Sequence, residues 1–434
     1  MTTQLPKRVG LLRNVTLASG SVCDVVLEAG TVAGVLPAGT ASASEGELDL
    51  TGYLLLEAPA DPHAHLDKAL SWDAIRPPMG DLESAILAWR AYSASMTEGD
   101  VEERALSAAM RLLQQGTTAV RSHVDLLFAE DPFLGVRALV RVRERMRDLM
   151  DVELAVLAHW DVPDTVIEEA LQLGADLVGG APHLAPDPAA EVRRLLAIAD
   201  RQQVGADLHT DENLHDEPTL AVYAEEIREW NRDGRTFTAG HAVRLGTLPP
   251  SERDRLIRDT AASGIGIVSL PLTNLYLQGW ADEVSTPRGL TALRQLIDAR
   301  ALVSAGGDNV RDPFNPVGRS DAFETASLLV AAGHLTVDEA YRLVSRGSRR
   351  VMGLSTAEGD DLDIAEGQPA ELLAVRAQNL PQAVGEAPAD RYVFHAGRLV
   401  SQTFSTTESA APRETMSSLS VTAHHPYNTG SVSA

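Results

Sequence analysis

Between Tyr53 and Gly307 the chain alternates short apolar runs with longer stretches of helical periodicity, and few folds accommodate that rhythm. The runs are YLLLEAP, TTAVRS, VELAVLA, DLVGGAP, VGADL, TFTAG, IGIVSL and ALVSAGG. Among the stretches between them are VEERALSAAMRLLQQ, FLGVRALVRVRERMRDLM, PAAEVRRLLAIADRQQ and PSERDRLIRDTAAS. Runs this short suit strands buried on both faces, and the intervening segments repeat apolar residues as amphipathic helices do. Strand–helix alternation builds a parallel sheet covered by helices, and eight repeats predict a closed (β/α)8 TIM-like barrel of the α/β class over residues 55–369. A doubly wound open sheet is the alternative. It lacks support, because no G-x-G-x-x-G stands after a strand where such a sheet needs it.

The two ends of the chain have another texture. RVGLLRNVTLAS, VCDVVLEAG and TVAGVLP read as short strands, and so do PAELLAVRAQ and RYVFHAGRLVS near the other end. Residues 1–54 and 370–405 together predict a small β-sandwich domain made from both ends. Residues 406–434, rich in Ser, Thr, Ala and Pro, read as a flexible tail.

Polar residues gather where the predicted strands stop. His63 and His65 follow the first run, His123 the second, His159 the third, His183 the fourth, His209 the fifth, His241 the sixth and Asp308 the eighth. In an α/β barrel those ends share one rim, where active sites sit. His63 and His65 are two positions apart, so on a strand their imidazoles face one side. Two imidazoles are half of a metal shell, and a third histidine with a carboxylate completes a set suited to one divalent ion, Zn(II) or Fe(II).

Composition narrows the partners. Lys and Arg number 37 against 61 Asp and Glu, a net charge of −24, which argues against a nucleic-acid partner. Cys23 is the only cysteine, so an intrachain disulfide and a Cys-based zinc site are both excluded. No signal-peptide pattern opens the sequence and no apolar run is long enough to span a bilayer, so no membrane partner and a cytoplasmic location are expected. No Arg or Lys cluster follows the strands to clamp a phosphate, which weighs against a phosphoesterase.

The motifs PHAHLD, HTDE (His209–Glu212), AGHA and GGDNVRDPFNPVG, with LPLTNLYLQGW, EGQPAELLAV and VFHAGRLVS, resemble those of the amidohydrolase superfamily, in its cytosine deaminase-like branch. The resemblance runs from about Lys7 to Gln402. It implies a mononuclear hydrolase with His63, His65, His209 and Asp308 as metal ligands; strand four ends in APHL, without the lysine that binuclear relatives carry. It further implies hydrolysis of an exocyclic C–N bond in a cyclic amidine by metal-activated hydroxide, releasing ammonia or an amine from a small heterocycle. Asp308 would accept a proton from water, His241 would stabilise developing charge, and Glu212 would shuttle a proton. A homo-oligomer is also expected. The alternative is a family member that kept the barrel without the chemistry, which the complete set of matched residues disfavours.

The chain departs from the cytosine deaminase pattern in two places. His159 stands where a Gln reads the pyrimidine, and Asn309 follows Asp308 where a second Asp is usual. The HLDK form of the first motif and the Asp-Asn pair look more like the N-isopropylammelide hydrolases. Substrate contacts are accordingly expected from His159, Asn309, His183 and Lys68, with Phe314 and Trp160 as a wall for a flat ring. His123 and Asp125 are expected to support the ligand histidines, and NLYLQGW to cover the site. His215, His334, His395, His424 and His425 read as peripheral.

Overall fold

The computed structural model describes residues 5–44, 46–127 and 131–408. Eight parallel strands form the barrel: β1 (Ala60–Ala64), β2 (Ala119–Asp125), β3 (Asp151–Leu157), β4 (Leu177–Gly180), β5 (Gly205–Thr210), β6 (Phe237–His241), β7 (Gly266–Ser269) and β8 (Leu302–Ala305). Each pairs with the next in chain order. Closure comes from a parallel bridge between Ala64 and Asp308, where the Asp308 N–H donates to the His63 carbonyl at 3.0 Å. The seam of the barrel therefore passes through two of the expected metal ligands.

The helices outside follow from their sequences. In Glu98–Gln114, Thr97 caps the first turn by accepting from the Asp100 N–H, and Val101, Ala105, Ala108, Leu112 and Leu113 are buried as one stripe. Pro188–Gln202 starts with a proline where no N–H is needed, is capped by Asp187, and buries Val192, Leu195, Leu196 and Ala199.

A second, mixed sheet of nine strands draws on both chain ends, from Lys7–Arg8 to Leu54–Glu57 and from Leu372–Val375 to Arg398–Thr403. It contains the run expected to be barrel strand one. Leu54–Glu57 pairs antiparallel with Leu372–Val375, Leu55 opposite Ala374 and Leu56 opposite Leu373. Leu54, Leu56, Leu373 and Val375 enter the barrel core, whereas Leu55, Leu372 and Ala374 enter the core of the second sheet. Successive side chains of a strand point to opposite faces. This strand pair is apolar without interruption because it divides two cores. The barrel's true first strand is the polar ADPHA that follows. Its register against β2 slips by one residue between Asp61 and Ala64, where Pro62 has no N–H for the ladder.

Among the described residues no helix is long and apolar enough to cross a membrane. His424 and His425, and most of the stretch read as a tail, lie outside the described residues.

Candidate active site and metal centre

Three imidazoles meet at the carboxyl end of the barrel. His63, within β1, and His65, just past it, each bring Nε2 close to Nε2 of His209 on β5, at 3.2 and 3.1 Å. Asp308, just after β8, sets Oδ1 3.3 Å from His65 Nε2 and 3.9 Å from His63 Nε2. All four side chains are buried, and neither Asp308 oxygen makes a hydrogen bond. Ligands about 2.0–2.1 Å from a tetrahedral zinc stand roughly 3.3 Å from one another. The observed spacings match such a cage, and the two unpartnered carboxylate oxygens are the orphans that a cation would satisfy.

Electrostatics favour the ligating form of the three histidines. Burial holds His63, His65 and His209 well below the usual imidazole range, so their rings are neutral. The Asp308 carboxyl is pushed well up, first by burial and then by Glu212, a cost that a bound cation would reverse.

The backbone is shaped to this end. Asp308 and His241 have left-handed φ of 60° and 67°, costly for residues with a side chain and characteristic of functional sites. Gly240 explains itself sterically: a Cβ there would lie 2.6 Å from His63 Cε1. Only glycine lets the ring of His63 lie against β6.

Glu212 and His241 form a second cluster. Glu212 Oε1 lies 3.4 Å from His241 Nδ1, and burial alone pushes its carboxyl up to about 8. Asn274, on the short helix Pro271–Leu277 after β7, ties them together. Its Nδ2 donates to His241 Nδ1 at 3.0 Å and to Glu212 Oε1 at 3.4 Å. An amide NH2 offers only protons, so Nδ1 accepts and the ring proton stands on Nε2, which is buried without a partner. Gln278 adds a bond from Nε2 to the Glu212 carbonyl at 3.1 Å. The NLYLQGW segment, expected as a cover, thus also holds an acid and a hydrogen-bond donor in place. Asn274 went unnoticed in the sequence because an asparagine in an apolar helix carries no spacing signal.

A cavity of about 880 Å3, open mouth included, stands over this floor. His159, His183, Asn309, Phe314 and Lys68 all line it. His183 donates from Nδ1 to the His209 carbonyl at 3.2 Å, and burial lowers its pKa to about 4, so it is neutral. Asn309 donates Nδ2 to Asp312 at 2.8 Å, and His159 pairs with Asp161. Trp160 is not brought into the cavity lining; it is 40% exposed and packs on His159. Trp89, from the helix Leu82–Ser93, is the indole that the lining holds instead.

Lys68 is buried at the cavity wall, its Nζ 2.7 Å from Asp125 Oδ1 and 3.7 Å from Asp67 Oδ2. Burial pulls its pKa down, but the two carboxylates more than offset that, so it stays charged. Asp125 was expected to back a ligand histidine; it instead takes Lys68 and the Trp89 indole N–H at 2.7 Å. His123 does reach a ligand, with Nε2 3.1 Å from His63 Nδ1.

Comparison with known proteins agrees with this architecture. A family model described as "Amidohydrolase family" matches residues 73–401. A pterin deaminase of Rhizobium rhizogenes is 30% identical over 392 residues, covering 87% of each chain. The 5-methylcytosine deaminase of Klebsiella pneumoniae superposes with a TM-score of 0.82 at 28% identity, covering 92% of this chain and 99% of that one. The N-isopropylammelide isopropylaminohydrolase of Burkholderia multivorans follows with a TM-score of 0.76 at 26% identity, covering 91% and 98%. The eight-stranded barrel and these matches over most of the chain agree: the chain belongs to the amidohydrolase family.

Proposed function

We propose that this chain is a hydrolytic deaminase of flat nitrogen heterocycles, acting on the amino group of a cyclic amidine. The observation that carries the reading is the pairing of two clusters on one cavity floor. One is a His3Asp cage with unpartnered carboxylate oxygens; the other is a buried acid beside a histidine whose donor faces no partner. The names of its relatives, deaminases of a pterin and a methylated cytosine, support the same class.

His63, His65, His209 and Asp308 would hold one divalent ion, Zn(II) or Fe(II). When bound, such an ion supplies Lewis acidity and makes water available as a nucleophile near neutral pH. The remaining steps belong to the protein. Glu212, kept protonated by burial, donates its proton to the ring nitrogen as water oxygen adds to the amidine carbon. Asp308 accepts the proton that water gives up. His241 donates from Nε2 to the added oxygen and stabilises its charge. The second water proton then passes to the exocyclic amine, the C–N bond breaks, ammonia leaves and a carbonyl remains. Phe314 and the rim residues His159, His183, Asn309 and Lys68 would hold the ring, the polar ones by its hydrogen-bonding edges.

The cavity continues past the floor along one face of the helix Leu82–Ser93, lined by Leu82, Ile86 and Trp89. That extra apolar wall suits a two-ring substrate of the pterin kind better than a single ring.

Metal analysis of the purified protein, with ammonia release measured over pterin, cytosine, 5-methylcytosine and N-isopropylammelide, tests the reading. One Zn or Fe per chain and ammonia from an aminoheterocycle are expected, with pterin preferred. No bound metal, and no turnover after Zn(II) or Fe(II) is added, would sink it. Release of isopropylamine without ammonia would move the chain to the dealkylaminating reading.

A further inference from the structure

Behind the ligand His63 lies a buried polar chain that the reaction does not use directly. His123 Nε2 stands 3.1 Å from His63 Nδ1, and Asp207 Oδ1 stands 3.5 Å from the same His123 nitrogen. Asp207 Oδ2 takes Arg121 Nη1 at 2.8 Å, and Arg121 also donates to Thr238 at 2.9 Å and to Glu153 at 2.6 Å. His63, His123, Asp207 and Arg121 are all fully buried. Strand geometry assembles the chain. Arg121 and His123 are two apart on β2, and Asp207 and His209 are two apart on β5, so each pair shares a face.

We infer that His123, by accepting the Nδ1 proton of His63, is the positioning residue for that metal ligand, and that the group His63, His123 and Asp207 holds no metal of its own. This rests on the metal cage proposed above.

The group His63, His123 and Asp207 is itself close enough to hold an ion. Donor chemistry decides against it. Asp207 Oδ2 is already taken by Arg121 at 2.8 Å, and His63, which offers Nε2 to the cage, keeps its ring proton on the Nδ1 that faces this group. A hydrogen bond fits without this conflict. His63 offers Nε2 to the cage, so its ring proton stands on Nδ1 and is donated to His123 Nε2.

The other two histidine ligands have no second imidazole behind them. His65 Nδ1 faces the Lys68 ammonium at 3.2 Å, and His209 Nδ1 makes no hydrogen bond. Among the described residues, His63 is the cage ligand whose second nitrogen meets another imidazole, that of His123.

The test compares His123→Gln with His123→Leu. Glutamine keeps an oxygen able to accept from His63 Nδ1–H, whereas leucine fills similar space and accepts nothing. Each protein is stripped with a chelator, its melting temperature is read without metal, and its zinc dissociation constant is measured by competition with a fluorescent chelator. We expect one zinc per chain throughout, metal-free melting temperatures that agree, and affinity weakened about tenfold to hundredfold in His123→Leu but largely restored in His123→Gln. Should leucine prevent folding, His123→Ala replaces it in the same comparison. Equal affinities for the glutamine and the apolar variant, or two zinc ions per wild-type chain, would overturn the inference while leaving the deaminase reading intact. Failure of the wild type to bind any metal would overturn both.

Discussion

Glu212 shows how one residue's chemistry depends on its surroundings. In the sequence it is one of several carboxylates in HTDENLHDE, notable only for standing three residues after His209. In the fold it is buried, with its carboxyl pushed up to about 8. The acid form therefore prevails at neutral pH and is lost as pH rises through that value. Turnover should fall along the same limb. Glu212→Gln should keep the metal and lose kcat by about a hundredfold to ten-thousandfold. A pH–rate profile with metal analysis of the same samples checks both. If the variant turns over at near the wild-type rate, or the alkaline limb survives in it, Glu212 is not the acid. Strand ends marked the four cage residues together with His123, His159, His183 and His241, and the motif resemblance separated the four as expected ligands. Arg121 and Asp207 were not legible, since a charged residue inside a strand gives no sign of which partner it meets across the barrel.

At the scale of elements, caps and cross-helix pairs set the local stability. The helix Val337–Val344 opens with a capping box, Thr336 accepting from the Glu339 N–H while the Glu339 carboxylate accepts from the Thr336 N–H. The same carboxylate takes both Nη atoms of Arg294, at 2.8 and 2.7 Å, from the helix Leu293–Asp298. Those contacts, the Arg294 bond first, lower its pKa from 4.5 to about 2. A depressed folded value means that this stabilisation is complete above about 4.5 and disappears as pH falls toward 2. Arg294 is 41% exposed, so solvent screens the pair. Glu339→Gln should cost about 1 kcal/mol at pH 7, and the difference from wild type should close between pH 4.5 and 2. Urea unfolding across that range measures it, and a constant difference down to pH 2 contradicts the assignment. The TxxE spacing of this cap is visible in the sequence, whereas the arginine that doubles its work comes from a helix 45 residues away.

For the whole molecule, the second sheet is bound to the barrel by more than the strand pair that divides their cores. Arg391, in the sheet strand Arg391–His395, reaches Asp321 at the cap of the helix Ala322–Ala331 with two bonds of 3.0 and 2.8 Å, and both side chains are buried. Removing one member of a buried pair strands the other's charge. Arg391→Ala should therefore destabilise by about 3–5 kcal/mol. Calorimetry should show one cooperative transition, lowered in the variant, because the sheet and barrel share buried residues. A separate early melt of the sheet, with the barrel unmoved, would show that the two are not one body.

Period and spacing determined what depends on near neighbours along the chain. The strand–helix alternation, the placement of histidines at strand ends and the same-face geometry of His63 and His65 are all local, and the sequence carried them without a structure. Tertiary packing decided what depends on distant residues. It placed LLLE between two cores and gave the barrel a polar first strand. It kept Trp160 out of the cavity lining and admitted Trp89. It also brought Asn274 to Glu212 and His241, and Asp207 to His123. A strand's apolar run reports that both of its faces are buried, not which sheet it joins, and a polar side chain gives no sign of its partner until the chain has closed around it.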